Sequence, residues 1–380
     1  MTEPSRRMTA ADGPKRPDVA EARRVVVKVG SSSVASAAGG LATDRVDALV
    51  DAVAERHATG TQIVVVSSGA IAAGLAPLGR RHRPRDLATL QAAAGVGQSR
   101  LVQAYSASFA RYAVTVAQVL LTADDVVRRA HYRNARRALE RLLQLRVVPV
   151  VNENDTVATE EIRFGDNDRL AALVAHLVHA DALVLLSDVD GLYSGEPSAP
   201  GARLIPAVHG EADLAAVVAG RPGAADLGTG GMASKVDAAR VATGSGVPVV
   251  LAAAGAVRDA LAGRGVGTYF APTGRRTSSR LLWLAHAAAP TGRLRLDAGA
   301  VAAVVARRAS LLPAGITSVD GDFSAGDPVE LIGPDGTPVA RGLVAYDAHE
   351  LPDMLGRSTR ELAEDRQREV VHRDDLVLLP

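Results

Sequence analysis

At 380 residues the chain is too long for one ordinary domain, and two or three are expected. Its 47% hydrophobic and 22% charged content is that of a soluble globular protein, and a net charge of +1 weighs against a strongly basic nucleic-acid or membrane-surface protein. No Cys is present, which excludes disulfides, thiolate-bound zinc, iron–sulfur clusters and a thiol nucleophile, and suits a reducing, cytoplasmic location.

The segment from Met1 to Glu21 is polar, charged and Pro-containing, and it lacks the apolar centre of a signal peptide. Residues 1–22 therefore read as a disordered tail. Short β-branched runs then alternate with helical patterns. Val25–Val29 is a buried strand ending at Gly30, and Asp44–Arg56 carries Val46, Leu49, Val50 and Val53 at helical spacing. Ile63–Val66 is the next strand, followed by a long Ala-rich helix over Asp86–Tyr112. Strands follow at Val114–Leu121, Val147–Val151, Leu183–Leu186 and Val247–Leu251; helices at Asp125–Leu145, Asp168–His179 and Met232–Thr243. Continuous apolar strands between amphipathic helices predict an α/β fold, with a mostly parallel sheet sandwiched by helices. Ligands in such folds bind at the carboxyl ends of the strands. No apolar run approaches the about 18 residues of a membrane span.

Near Ala287–Thr291 the pattern changes. Gly/Pro/Asp turns recur at Asp320-Gly321-Asp322, Gly326-Asp327-Pro328 and Gly333-Pro334-Asp335-Gly336, which predicts a small, mainly β domain over 293–380 behind an α/β domain over 23–286. From Arg293 onward the net charge is −5.

Two biases of composition point to chemistry. Only Lys15, Lys28 and Lys235 are Lys, against 40 Arg, and only Asn134, Asn152, Asn154 and Asn167 are Asn. A Lys kept in so Arg-rich a chain marks a place where Arg does not serve. Lys28 precedes Gly30-Ser31-Ser32-Ser33 at a strand end. Lys235 lies one turn into a helix that follows Gly228-Thr229-Gly230-Gly231-Met232-Ala233-Ser234. Both contexts suit an anion, because Gly lets backbone N–H groups approach it. Neither is a Walker A loop, which needs Gly directly before the Lys. Ser67-Ser68-Gly69-Ala70 joins a strand to a helix N-terminus, another place for a carboxylate or phosphate. Asn152-Glu153-Asn154-Asp155-Thr156 and Gly165-Asp166-Asn167-Asp168 gather amides and carboxylates, a mixture that suits an amino acid. Ser187-Asp188-Val189-Asp190-Gly191 closes a further strand. Taken singly, each motif also reads as an ordinary turn or helix cap. His176 and His179 share a helix with no third ligand nearby, so no metal site is assigned.

In this order the motifs V-V-V-K-V-G-S-S-S-V, S-S-G-A-I-A-A-G, V-N-E-N-D-T-V, F-G-D-N-D-R-L, S-D-V-D-G-L-Y and G-T-G-G-M-A-S-K resemble the amino acid kinase superfamily, most closely its glutamate 5-kinases. The C-terminal text S-L-L-P-A-G-I, A-H-E-L-P-D-M-L-G-R-S-T and V-V-H-R-D-D-L is similar to a PUA domain. The resemblance implies transfer of a phosphoryl group from ATP, with Mg²⁺, to the γ-carboxylate of L-glutamate at the head of proline synthesis. It implies Lys28 and Lys235 on the transferring phosphates, Asp168 orienting both, and Gly30 and Ser31 at the phosphate-proximal turn. Ser68, Asp155 and Asn167 match glutamate-binding positions. Ser187, Asp188 and Thr229, Gly230, Gly231, Met232, Ala233, Ser234 and Lys235 match the nucleotide site; Ser187 stands where the family often has Thr. It further implies a homo-oligomer (dimer or tetramer), feedback by L-proline and contact with a downstream reductase. The alternatives are another carboxylate kinase of the superfamily, or an RNA-binding PUA protein. The −5 charge of the C-terminal region argues against the latter, since phosphate contacts dominate RNA affinity.

Overall fold

The computed structural model describes residues 14–36, 40–80, 82, 84–122, 125, 129–157, 167–197, 199, 201–210, 212–214, 231–274, 284, 290–358, 361–363 and 366–379. The chain divides into two compact units, Met1–Arg276 and Thr277–Pro380.

In chain order the first unit runs α1 (Pro17–Ala20), β1 (Arg24–Val29), α2 (Ser31–Val34), α3 (Thr43–Ala58), β2 (Gln62–Ser67), α4 (Ala70–Leu75) and α5 (Leu87–Ala110). It continues with β3 (Val116–Leu121), α6 (Arg129–Gln144), β4 (Val148–Glu153), α7 (Asn167–Leu177) and β5 (Ala182–Ser187). Then come β6 (Ala207–Val208), α8 (Met232–Gly244), β7 (Val249–Ala253), α9 (Val257–Leu261) and β8 (Thr268–Phe270). The eight strands form one sheet in the order β3-β4-β2-β1-β5-β7-β8-β6, parallel throughout except for the β7–β8 pair.

Alternation along the strands divides the core. Val25, Val27, Val29, Val65, Val184 and Leu186 pack with Val46, Val50 and Val53 of α3 and Leu101 of α5. Residues of the other parity, such as Val26, Val64 and Leu185, are equally buried, and α7, itself buried along its length, packs against β1, β2, β4 and β5. This accounts for apolar runs without alternation: both faces are covered. Each fully buried Val or Leu contributes about 1.5–3 kcal/mol. Among the described residues no helix is long and apolar enough to cross a membrane.

The expected disordered tail is corrected over residues 14–22. Arg16 is buried, and its guanidinium donates to the carbonyl oxygens of Val266 at 2.5 Å and Gly267 at 3.2 Å. Its backbone N–H donates to Gly263 O at 2.8 Å, and Val19 is wholly buried. From the other side Arg56 of α3 donates to Ala20 O and Ala22 O. Composition hides this docking, because one arginine and one valine carry it.

In the second unit β9 (Gly292–Leu296), β10 (Ile316–Gly321), β11 (Pro328–Ile332), β12 (Pro338–Val344) and β13 (Val371–Leu378) form a separate sheet, in the order β10-β9-β11-β12-β13. Its core joins Leu294, Leu296, Val329, Leu331, Val344 and Tyr346. The Tyr346 hydroxyl donates to Arg366 O at 2.9 Å, so its polar end is satisfied while the ring stays buried.

Candidate active site

The last but one residue of β1 is a lysine, and the strand delivers Lys28 beneath the carboxyl edge of the sheet, where its side chain is 2% exposed. A buried ammonium is costly unless paired and hydrogen-bonded. The partner is Asp168, in the first turn of α7 and fully buried, whose Oδ1 lies 2.5 Å from Lys28 Nζ. Its other oxygen, Oδ2, accepts from Lys235 Nζ at 3.0 Å and from Ser234 Oγ at 3.3 Å. One carboxylate thus holds two ammonium groups from elements more than 200 residues apart in sequence. The trio carries a net positive charge, which suits phosphate oxygens. Lys235 Nζ also donates to Gly231 O at 3.2 Å. Gly231 caps the start of α8 with φ +97°, a backbone state that disfavours a side chain.

Asn167, next to Asp168, is the second junction. Its Nδ2 donates to Ser67 O at 3.1 Å, Ser68 Oγ at 3.0 Å and Asn152 Oδ1 at 2.7 Å. The ends of β2 and β4 are thereby tied to the start of α7. Asn152 Oδ1 also accepts from Glu153 N–H, at 2.9 Å. Gly69, with φ +104°, turns the chain from β2 into α4.

These elements enclose a cavity of about 540 Å³ at the carboxyl ends of the strands. Lys28, Gly30, Ser31, Ser68, Asp155, Asn167, Asp188, Gly231 and Lys235 all line it, so the structure brings most of the sequence-derived residues together. Asp168 lies buried beneath it, bonded to both lysines. Ser187 is buried beside it and donates to Asp188 Oδ1 at 3.0 Å, and the two line an adjoining hollow of about 360 Å³. Met232, Ala233 and Ser234 form the first turn of α8. Thr229 and Gly230 lie outside the described residues. Asn152 and Glu153, which the resemblance does not assign to the site, also line the cavity, and their place at the end of β4 is the sequence signal for it.

A larger cavity, about 760 Å³, opens at the opposite, amino-terminal ends of β1, β2 and β5. Its Arg24, Arg56 and Arg146 donate to main-chain carbonyls of Val178, Ala20 and Gly60, among others, so they act as caps at or just beyond helix ends. The chemistry-bearing residues are at the smaller cavity.

The sequence matches the model of the amino acid kinase family over residues 23–253 and that of the PUA domain over residues 292–364. It is 65% identical to the glutamate 5-kinase of Streptomyces avermitilis over 369 residues, covering 96% of this chain and 98% of the relative. It is 64% identical to that of Frankia casuarinae over 368 residues, 96% and 99% of the two chains. Among solved structures the carbamate kinase of Giardia lamblia shares the fold, with a TM-score of 0.51 at 17% identity over 66% of this chain and 98% of that one. The chain belongs to the amino acid kinase family, in its glutamate 5-kinase branch, with a PUA domain following the kinase domain.

Proposed function

We propose that the chain phosphorylates the γ-carboxylate of L-glutamate with ATP, giving L-glutamyl 5-phosphate at the head of proline biosynthesis. The observation that carries this reading is the pair of buried lysines held on Asp168 at the floor of the cavity. The identity to curated glutamate 5-kinases supports the acceptor.

A carboxylate acceptor is already an anion at neutral pH, so no general base is required. Its oxygen attacks the γ-phosphorus, the bond to the β,γ-bridging oxygen breaks, and ADP leaves. No proton moves. What the protein supplies is position and charge. Lys28 and Lys235 face the phosphoryl oxygens, and Asp168 holds both ammoniums in place. Ser68, Asn167 and Asp155 hold the acceptor, the amide and hydroxyl toward its α-carboxylate and Asp155 toward its ammonium. Gly30 and Ser31 approach the phosphates, and Ser187, Asp188 and the start of α8 hold the nucleotide.

Mg²⁺ usually takes one or two carboxylates plus substrate phosphates. Asp188 in the cavity lining is a carboxylate of the kind that meets an ion carried on the nucleotide. It is exposed, at the rim, and the ion would supply neutralisation of phosphate charge. A labile acyl phosphate product is best consumed at once, which favours a reductase acting next, in contact with this enzyme. A homo-oligomer and a cytoplasmic location belong to the same reading.

The test is ATP consumption with glutamate, N-acetylglutamate and aspartate. Turnover confined to glutamate is expected; turnover confined to either competitor overturns the assignment. L-Proline, with an α-carboxylate and a protonated amine, is expected to compete at the site around Asp155 and Asn167. Its inhibition should vanish at saturating glutamate, and inhibition undiminished there rejects a shared site. The core of the first unit and the core around Leu294 and Tyr346 draw on separate residues. A chain ending near Pro290 is therefore expected to keep glutamate-dependent turnover. A folded truncate with none shows that the C-terminal unit takes part in the chemistry.

A further inference from the structure

Both loops on the acceptor side of the cavity rest on α5, a helix that does not itself line it. Toward the β2–α4 turn, α5 comes into backbone contact with α4. A Cβ added at Gly97 would lie 1.7 Å from Ala70 O, and one at Gly74 would lie 1.8 Å from Ala93 O. Two turns further on, Tyr105 shares a hydrogen bond with Ser67 Oγ at 2.9 Å. Burial pushes the Tyr105 phenol pKa up, so it stays a neutral partner. Toward the β4 loop, Gln98 Nε2 donates to Glu153 O at 3.4 Å, while its Oε1 accepts from Gln118 Nε2 of β3 at 3.1 Å.

Gln98 is 8% exposed on a helix whose buried positions include Ala93, Ala94, Leu101 and Tyr105. An apolar side chain there would avoid the cost of burying an amide. The amide instead holds the carbonyl of Glu153, the last residue of β4 and a wall of the cavity. We infer that Gln98 is a positioning residue: through Glu153 O it fixes the β4 loop to α5, and so sets the width of the acceptor half of the cavity between Ser68 and Asp155. The inference rests on the reading of that half as the acceptor site. Lys235 belongs to α8 and Gly231 directly precedes it, and Gln98 makes no described bond to either.

Losing one such bond is worth about a three- to tenfold effect. Gln98→Leu is expected to raise the KM for glutamate by about that factor, with kcat and the KM for ATP unchanged. Gln118→Leu, which frees the Gln98 amide from the exposed edge of β3, should raise it less and carries the test if Gln98→Leu fails to fold. Hydrogen exchange needs no substrate: amides of 153–157 should exchange faster in both variants, with those of 232–243 unchanged. An unaltered glutamate KM, or an equal rise in the KM for ATP, overturns the inference, as does unchanged exchange at 153–157. Failure of the glutamate reading is seen separately, as an unsubstituted enzyme that turns over no glutamate while the exchange result stands.

Discussion

Lys28→Arg and Lys235→Arg are each expected to lower turnover by about 10²-fold or more, with little change in glutamate binding. Charge is conserved in both, so the loss is one of shape. Lys presents a compact ammonium, whereas Arg brings a broad planar fork. Lys28 is 2% exposed and its Nζ already lies 2.5 Å from Asp168 Oδ1, which leaves the larger head no place beneath the cavity floor. In Lys235→Arg the fork would have to share Asp168 Oδ2 with Ser234 and would displace the contact to Gly231 O. Lys15, exposed and remote from the site in sequence, serves as the control, and Lys15→Arg should do nothing. Steady-state turnover at saturating ATP decides it. Near-full activity in either variant reduces that lysine to a generic positive charge and defeats the argument from the 40-to-3 preference for Arg.

Asp168→Asn is expected to be more damaging still, because it strikes stability and chemistry together. The carboxylate is wholly buried and answers two ammonium groups. An amide of the same shape keeps the volume but leaves two positive charges facing each other. Removing one partner of a buried ion pair costs about 3–5 kcal/mol. Misplacing the groups that meet the phosphates costs about 10²–10³ in rate. Thermal unfolding should show the first and ATP turnover the second. A variant that folds as stably as the parent and turns over normally means Asp168 neither pairs nor orients the lysines.

Much of this arrangement was legible in the chain itself. The strands at Val25–Val29, Ile63–Val66 and Leu183–Leu186 are runs of β-branched and aliphatic residues, readable because both faces of a parallel sheet are buried. Each lies within the observed β1, β2 and β5. Lys28 and Lys235 stood out because Lys is rare here, and the cluster around Asn152 and Asn167 because Asn is rarer than average in so long a sequence. What could not be read was whatever depends on partners distant in sequence. Gln98 and Tyr105 look like any polar and aromatic residue of a long helix until Glu153 and Ser67 are brought beside them. β6 and β8 span two and three residues, too short for any periodicity to register. Arg16 looked like one more charge in a polar tail, since its partners come from carbonyl groups that carry no sequence signature.

That last contact sets a timetable for synthesis. The partners of Arg16 lie between 190 and 251 residues further along the chain. At about 5–20 residues per second, the segment around Arg16 leaves the ribosome on the order of ten to fifty seconds before the groups that will hold it. During that interval Arg16 has none of the carbonyl groups of Pro206, Val266 and Gly267 that will hold it. This part of the domain therefore closes last, where Arg16 meets the turn from Gly263 to Gly267. A chaperone that shields the emerging amino-terminal segment has more to protect here than in a domain built from adjacent pieces.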